Sequence, residues 1–141
     1  MSNVVSTYHQ ECALFSTEKI IEKIEQFAAE NNKKILYVLS YPADYIAKAH
    51  EEKYRWDQSI IDFINSKNLQ LVDLGQVHLD EFKQFSINLE EYLKKYFIGH
   101  YNPLGNMFCA QAIQGKLVEM MDPEPVPYNS DTKLGSLSEN Q

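Results

Sequence analysis

The sequence predicts an α/β domain in which a short parallel sheet is flanked by helices, and three observations predict it. Two apolar runs of strand length, residues 34–40 and 69–74, each stop at a turn or breaker residue. Helical periodicity occupies the stretch between them, which makes the two runs neighbours in a right-handed βαβ unit rather than a hairpin. Ile35-Leu-Tyr-Val-Leu39 is apolar at every position, the pattern of a strand covered on both faces by helices in a three-layer arrangement.

The elements follow in order. Residues 1–15 hold an irregular mixture in which His9, Glu11 and Cys12 have no ligand spacing, and they are expected to be poorly ordered, with Val4-Val5 offering a third strand. Ser16 can cap a helix, and Ile20, Ile21, Ile24, Phe27 and Ala28 recur at helical spacing behind it until Asn31-Asn32. The first strand follows and ends at Pro42. Two helical patterns come next, Ala43 to about Glu52 and a second with Trp56, Ile60, Phe63 and Ile64 on one face. Glu51, Glu52, Lys53 and Arg55 read as solvated surface, and His50 among them as idle. Lys67-Asn68 makes a turn, and the second strand closes at Gly75. A helix begins around Gln76, and residues 77–85 and 89–96 form short helical or irregular pieces. The last helix has Asn102 as N-cap and Pro103 in its first turn, and runs through Phe108, Ile113 and Leu117. The α/β domain therefore spans residues 16–122. Residues 123–141 are expected to form a tail, first proline-rich, then polar and disordered, that serves solubility or packs its extended proline segment across the surface.

With 44% hydrophobic residues in 141, the chain can bury one core. A formal charge of −7 opposes binding to nucleic acid phosphates or to an anionic membrane, so neither is expected as a partner. No apolar run reaches the roughly 18 residues of a membrane span and no signal peptide opens the chain, which makes the cytoplasm the default location. Cys12 and Cys109 read as small buried hydrophobes. Five glycines do not suffice for a phosphate loop, His78 has no partner at metal spacing, and no cofactor or metal is implied.

In a parallel sheet the carboxyl ends of the strands line the ligand crevice, which places Ser40, Tyr41 and Asp44 near any site. Asp73, at the end of the second strand, either faces that crevice to orient a base or bind substrate, or caps the following helix. His100 lies just ahead of the last helix, on a short loop stiffened by Pro103. That placement suits a general base: fixed, partly exposed, and titrating near neutral pH.

The run His100-Tyr-Asn-Pro-Leu-Gly-Asn106, followed by Ala110 and Ile113 on a helix, resembles the C-terminal signature block of the SGNH (GDSL-type) hydrolases, esterases with a flavodoxin-like α/β fold. The resemblance implies a partial flavodoxin-like fold, His100 as the catalytic base, Asn102 beside it, and an ester or acyl-ester substrate. The family places an Asp two or three residues before the His, where this chain has Ile98 and Phe97. Its Gly-Asp-Ser nucleophile block is also missing, and there is no Gly-x-Ser-x-Gly elbow. A flavodoxin-like sheet has about five strands, against two here. The chain is then expected to be the C-terminal part of a larger hydrolase domain, inactive alone, or a non-catalytic α/β binding or assembly module. Unpaired strand edges make a homo-oligomer the expected state of the isolated chain.

Overall fold

The computed structural model of the chain describes residues 2–121 and residue 123. Helix α1 (Ser2–Glu30) leads into strand β1 (Leu36–Leu39), helices α2 (Ala43–Glu52) and α3 (Gln58–Ser66), and strand β2 (Gln70–Asp73). Helices α4 (Leu74–Phe82), α5 (Leu89–Tyr96) and α6 (Pro103–Met120) complete the described chain. The strands run parallel, with Leu36 beside Gln70 and Leu39 beside Asp73. The fold is thus mixed α/β, mostly helical around a two-stranded parallel sheet.

The N-terminal residues correct the expectation of poor order. Helix α1 starts at Ser2, not at Ser16, and leaves no third strand at Val4-Val5. Ser16 is no cap: its Oγ donates to the Cys12 carbonyl one turn back (2.8 Å). The early apolar residues looked irregular because α1 carries them on two faces. Ile21 and Ala28 are buried, whereas Val5, Tyr8, Phe15, Ile20 and Phe27 point outward. Cys12 is exposed and Cys109 half-buried, so neither is the buried hydrophobe expected. The helix ends where Asn32 takes a left-handed conformation (φ 51°) and Lys33 N–H returns to the Ala28 carbonyl (2.8 Å).

Two clusters hold the elements together. Ile21 of α1 packs with Ile60 and Ile64 of α3 and with Leu14, Tyr37 and Leu71. Tyr37 and Leu71 are partners across the sheet, so α1 and α3 cover that face. Ile46, Tyr92, Leu93, Tyr96 and Phe97 form the second cluster, joined by Tyr101 and Phe108, which ties α2, α5 and α6 together. Coverage of β1 is incomplete, because Val38 remains 39% exposed. A hydrophobic strand expected to be enclosed therefore leaves one apolar residue open. The tail beyond residue 123 lies outside the described residues, and among those described no helix is long and apolar enough to cross a membrane.

Candidate functional site

The carboxyl ends of the two strands meet a polar lattice centred on Arg55. Helix α2 ends at Lys53, which turns the chain in a left-handed conformation (φ 54°) and lays Arg55-Trp56-Asp57 across the strand ends. The Arg55 guanidinium donates to both Asp57 carboxylate oxygens (3.2 and 3.1 Å), to the Tyr41 hydroxyl (2.6 Å) and to Asp73. It also lies over the Tyr41 ring, 5.1 Å from the centroid. Asp57 further accepts from the hydroxyls of Tyr41 (2.5 Å) and Tyr45 (2.7 Å). Burial alone would lift the Asp57 carboxyl, yet the donors from Arg55, Tyr41 and Tyr45 outweigh it and hold the group below the ordinary carboxylate range. Burial likewise works against the Arg55 charge, and the bonds to Asp57 and Asp73 overcome it. Tyr45 is pushed up to about 12, first by burial and then by Asp57. Arg55, Asp57 and the two tyrosines are therefore locked in their ordinary protonation states at neutral pH. Such a lattice positions groups and does not itself exchange protons. Removing one partner of a buried pair of this kind costs about 3–5 kcal/mol, because the remaining charge is stranded.

Asp73 takes the capping role and adds a partner that the sequence did not suggest. One oxygen meets Arg55, and the other accepts from Gln76 N–H (3.2 Å) as the N-cap of α4. Beside the lattice a cleft of about 680 Å³ runs between β1 and α1. Its walls include Leu14 and Thr17 on one side, Val38 to Pro42 on the other, and Trp56 and Ile60 at one end. That volume lies within the range of small-molecule sites.

A second polar chain is buried under the turn that carries His100. His78 of α4 is fully buried, stacked on Phe108 at 4.4 Å between ring centroids. Its Nδ1 is 3.1 Å from the Tyr92 hydroxyl and its Nε2 is 3.1 Å from the Tyr101 hydroxyl. Tyr92 spends its proton on Glu81 (2.5 Å), so it accepts from His78 Nδ1–H, and His78 Nε2 then accepts from Tyr101. Burial pushes His78 down to about 4, against a smaller opposing pull from Glu81, so the ring is neutral at physiological pH. The Tyr101 hydroxyl also lies beside the Cys109 thiol and the Ser40 hydroxyl. Burial, followed by the Cys109 thiol, raises Tyr101 and keeps it protonated.

His100 itself stands exposed at the tip of a tight turn. Gly99 (φ 88°) reverses the chain there, Ile98 N–H bonds the His100 carbonyl (2.8 Å), and Phe97 and Tyr101 pair across the turn. His100 Nδ1–H donates to the Tyr101 carbonyl (2.8 Å), which leaves the Nε2 lone pair pointing away from that bond. Behind it, Asn102 Oδ1 accepts from Gly105 N–H (2.9 Å) and Asn102 Nδ2 donates to the Lys95 carbonyl (2.7 Å). Any side chain at Gly105 would run into the Tyr96 carbonyl and the Tyr101 ring, so α6 starts pressed against α5.

Of the residues singled out from sequence, Ser40 lines the cleft and Asp73 joins the lattice, while Asn102 has its amide engaged in holding the turn. Tyr41 was placed near the site and is central to it; Asp44 is exposed and lines a separate hollow with Glu90 and Phe97. Arg55 corrects its reading as solvated surface, since its side chain is only 18% exposed. Asp57 and the His78 chain were not anticipated. One signal for the first was the triplet Arg55-Trp56-Asp57 just past a helix end, an aromatic between opposite charges. Among the described residues no group of three His, Cys, Asp or Glu is placed to hold a metal ion. Comparison with models of known protein families, with curated proteins and with solved structures finds no match.

Proposed function

We propose that this chain is the base-bearing C-terminal portion of an SGNH (GDSL-type) hydrolase-like domain with flavodoxin-like topology, acting on ester or acyl-ester bonds once a nucleophile-bearing segment joins it. The observation that carries the reading is His100: exposed, held on a braced turn, with Nδ1–H bound and Nε2 available as an acceptor. A base of this tautomer takes the proton of a serine hydroxyl through Nε2 while the bond at Nδ1 fixes the ring. Here a backbone carbonyl takes the place of the family's Asp. It orients the ring but offers less stabilisation to the imidazolium than a carboxylate would.

A second reading, a non-catalytic binding or assembly module, is favoured by the cleft, whose polar end is a lattice of groups that are already fully hydrogen-bonded. Fluorophosphonate labelling separates the two. The isolated chain is expected to take no label. Protein recovered from its native cells through this chain is expected to carry label on one serine outside these 141 residues, lost when His100→Ala is introduced. Labelling that survives His100→Ala, or an absence of label in the recovered protein, favours the binding module.

A further inference from the structure

Tyr45 and Trp56 stand at right angles beside the Arg55 lattice, with ring centroids 6.2 Å apart and planes inclined by 81°. Two rings set this way leave an inside corner onto which a face of each opens, and aromatic faces carry negative potential. Tyr41 backs the corner, stacked on Tyr45 at 4.8 Å between centroids, and all three rings line the cleft between β1 and α1. The hydroxyls of Tyr41 and Tyr45 both donate to the Asp57 carboxylate, a pair of bonds that polarises the rings and enriches their faces further. Trp56 keeps 43% of its surface open, so the corner is accessible from solvent.

The charge behind the corner selects the ligand. Asp57 and Asp73 set two carboxylates against the one guanidinium of Arg55, which leaves an excess of negative charge. Among the described residues that line the cleft, Asp57 is the one that carries a charge. A cation is attracted there, whereas an anion meets an Arg55 already spent on Asp57, Asp73 and Tyr41. The acceptors are spent too: each Asp57 oxygen takes two hydrogen bonds. A primary ammonium would have to displace one of those donors to satisfy its own N–H groups. A quaternary ammonium has no N–H to satisfy, and ring faces with a charge behind them suffice to hold it. Beyond the corner, Leu14 of α1 faces Val38 and Leu39 of β1 across the cleft, an apolar passage that suits an uncharged body.

We propose that the Tyr45–Trp56 corner binds a soluble quaternary ammonium compound whose apolar body lies in the cleft between α1 and β1. A phosphocholine lipid suits the site less, because its phosphate would follow the ammonium toward the same excess of negative charge. The cleft shares no residue with the His100 turn, so this binding does not depend on that turn carrying a catalytic base.

Calorimetry on the full chain with hexyltrimethylammonium as the probe tests it. Saturable binding of one probe per chain is expected, together with a change in the fluorescence of Trp56, the chain's single tryptophan. Hexylammonium and 1-hexanol should each bind at least about tenfold more weakly. Trp56→Leu, at an exposed position, should weaken the probe by about tenfold or more, and Trp56→Phe should restore most of that loss. An absence of saturable binding overturns the proposal. Equal binding of 1-hexanol would reduce the cleft to an apolar hollow, and equal binding of hexylammonium would remove the case for a quaternary group; either overturns it. Affinity that Trp56→Leu leaves unchanged places the probe elsewhere and overturns the site. Sedimentation of the chain with phosphatidylcholine vesicles would make a lipid the ligand and overturn the soluble compound.

Discussion

At the scale of single residues, the neutral buried His78 has the clearest measurable consequence. It donates to Tyr92 and accepts from Tyr101, so a proton added at Nε2 would break the Tyr101 bond inside an aromatic cluster. In the unfolded chain the ring titrates near 6.5, and in the fold it is pushed down to about 4. Between these values the unfolded state binds a proton that the folded state refuses. Stability is thus fully present above pH 6.5 and falls as pH drops toward 4, by about 2–3 kcal/mol between pH 7.5 and 4.5. His78→Phe should be less stable at pH 7.5, by about 1–3 kcal/mol, because two buried hydroxyls lose a partner. Its stability should nonetheless change little from pH 7.5 to 4.5. Urea unfolding of both chains at the two pH values checks this, and an equal slope would show that other groups control the acid limb. Asp57 acts lower on the scale: its carboxyl is held below the ordinary range, so its contribution is lost only as pH falls below about 3.8.

At the scale of elements, the junction of α5 and α6 decides where His100 stands. Asn102 caps α6 through Gly105 N–H and clamps the end of α5 through the Lys95 carbonyl, joining two helices with one side chain. Asn102→Ala loses the cap, worth about 1 kcal/mol, and frees the turn behind His100 as well. The expected result is a modest fall in thermal midpoint together with faster exchange of the Gly105 amide. An unchanged exchange rate would mean that the Gly105 contact with Tyr96 and Tyr101 holds the turn without the cap.

At the scale of the whole molecule, α1 is the element without enough neighbours. Val5, Tyr8, Phe15, Ile20 and Phe27 are each more than half exposed, on the side of the helix away from Ile21 and Ala28. A large apolar side chain contributes roughly 1.5–3 kcal/mol when fully removed from water, so five of them on one helix favour association. Light scattering should find dimers at micromolar concentration, and Tyr8→Lys with Phe15→Glu should return a 16.4 kDa species of unchanged helical content. Should the unsubstituted chain already run at 16.4 kDa across that range, α1 is not a contact between copies. Association was expected from the open strand edges, whereas the exposed apolar side chains of α1, a helix expected to begin only at Ser16, offer a different ground for it.

Helix α2 and the start of α6 could be read directly from the chain, because each is set by local signals: periodicity over two turns for the first, an Asn cap and a proline in the first turn for the second. The parallel pair was equally legible, since two apolar runs separated by helical sequence have few other ways to pair. Helix α1 was misjudged at its start because apolar residues on two faces erase the single-face period on which that reading depends. The Arg55 lattice and the His78 chain came only from tertiary structure. Each joins residues 11 to 23 positions apart, or a charged residue to a strand end, and nothing local distinguishes an Arg that folds back over two aspartates from one that faces water. Local chemistry determined where elements begin and stop; which polar side chains are buried together depended on how those elements pack, because burial is a property of the packed surface and not of the segment.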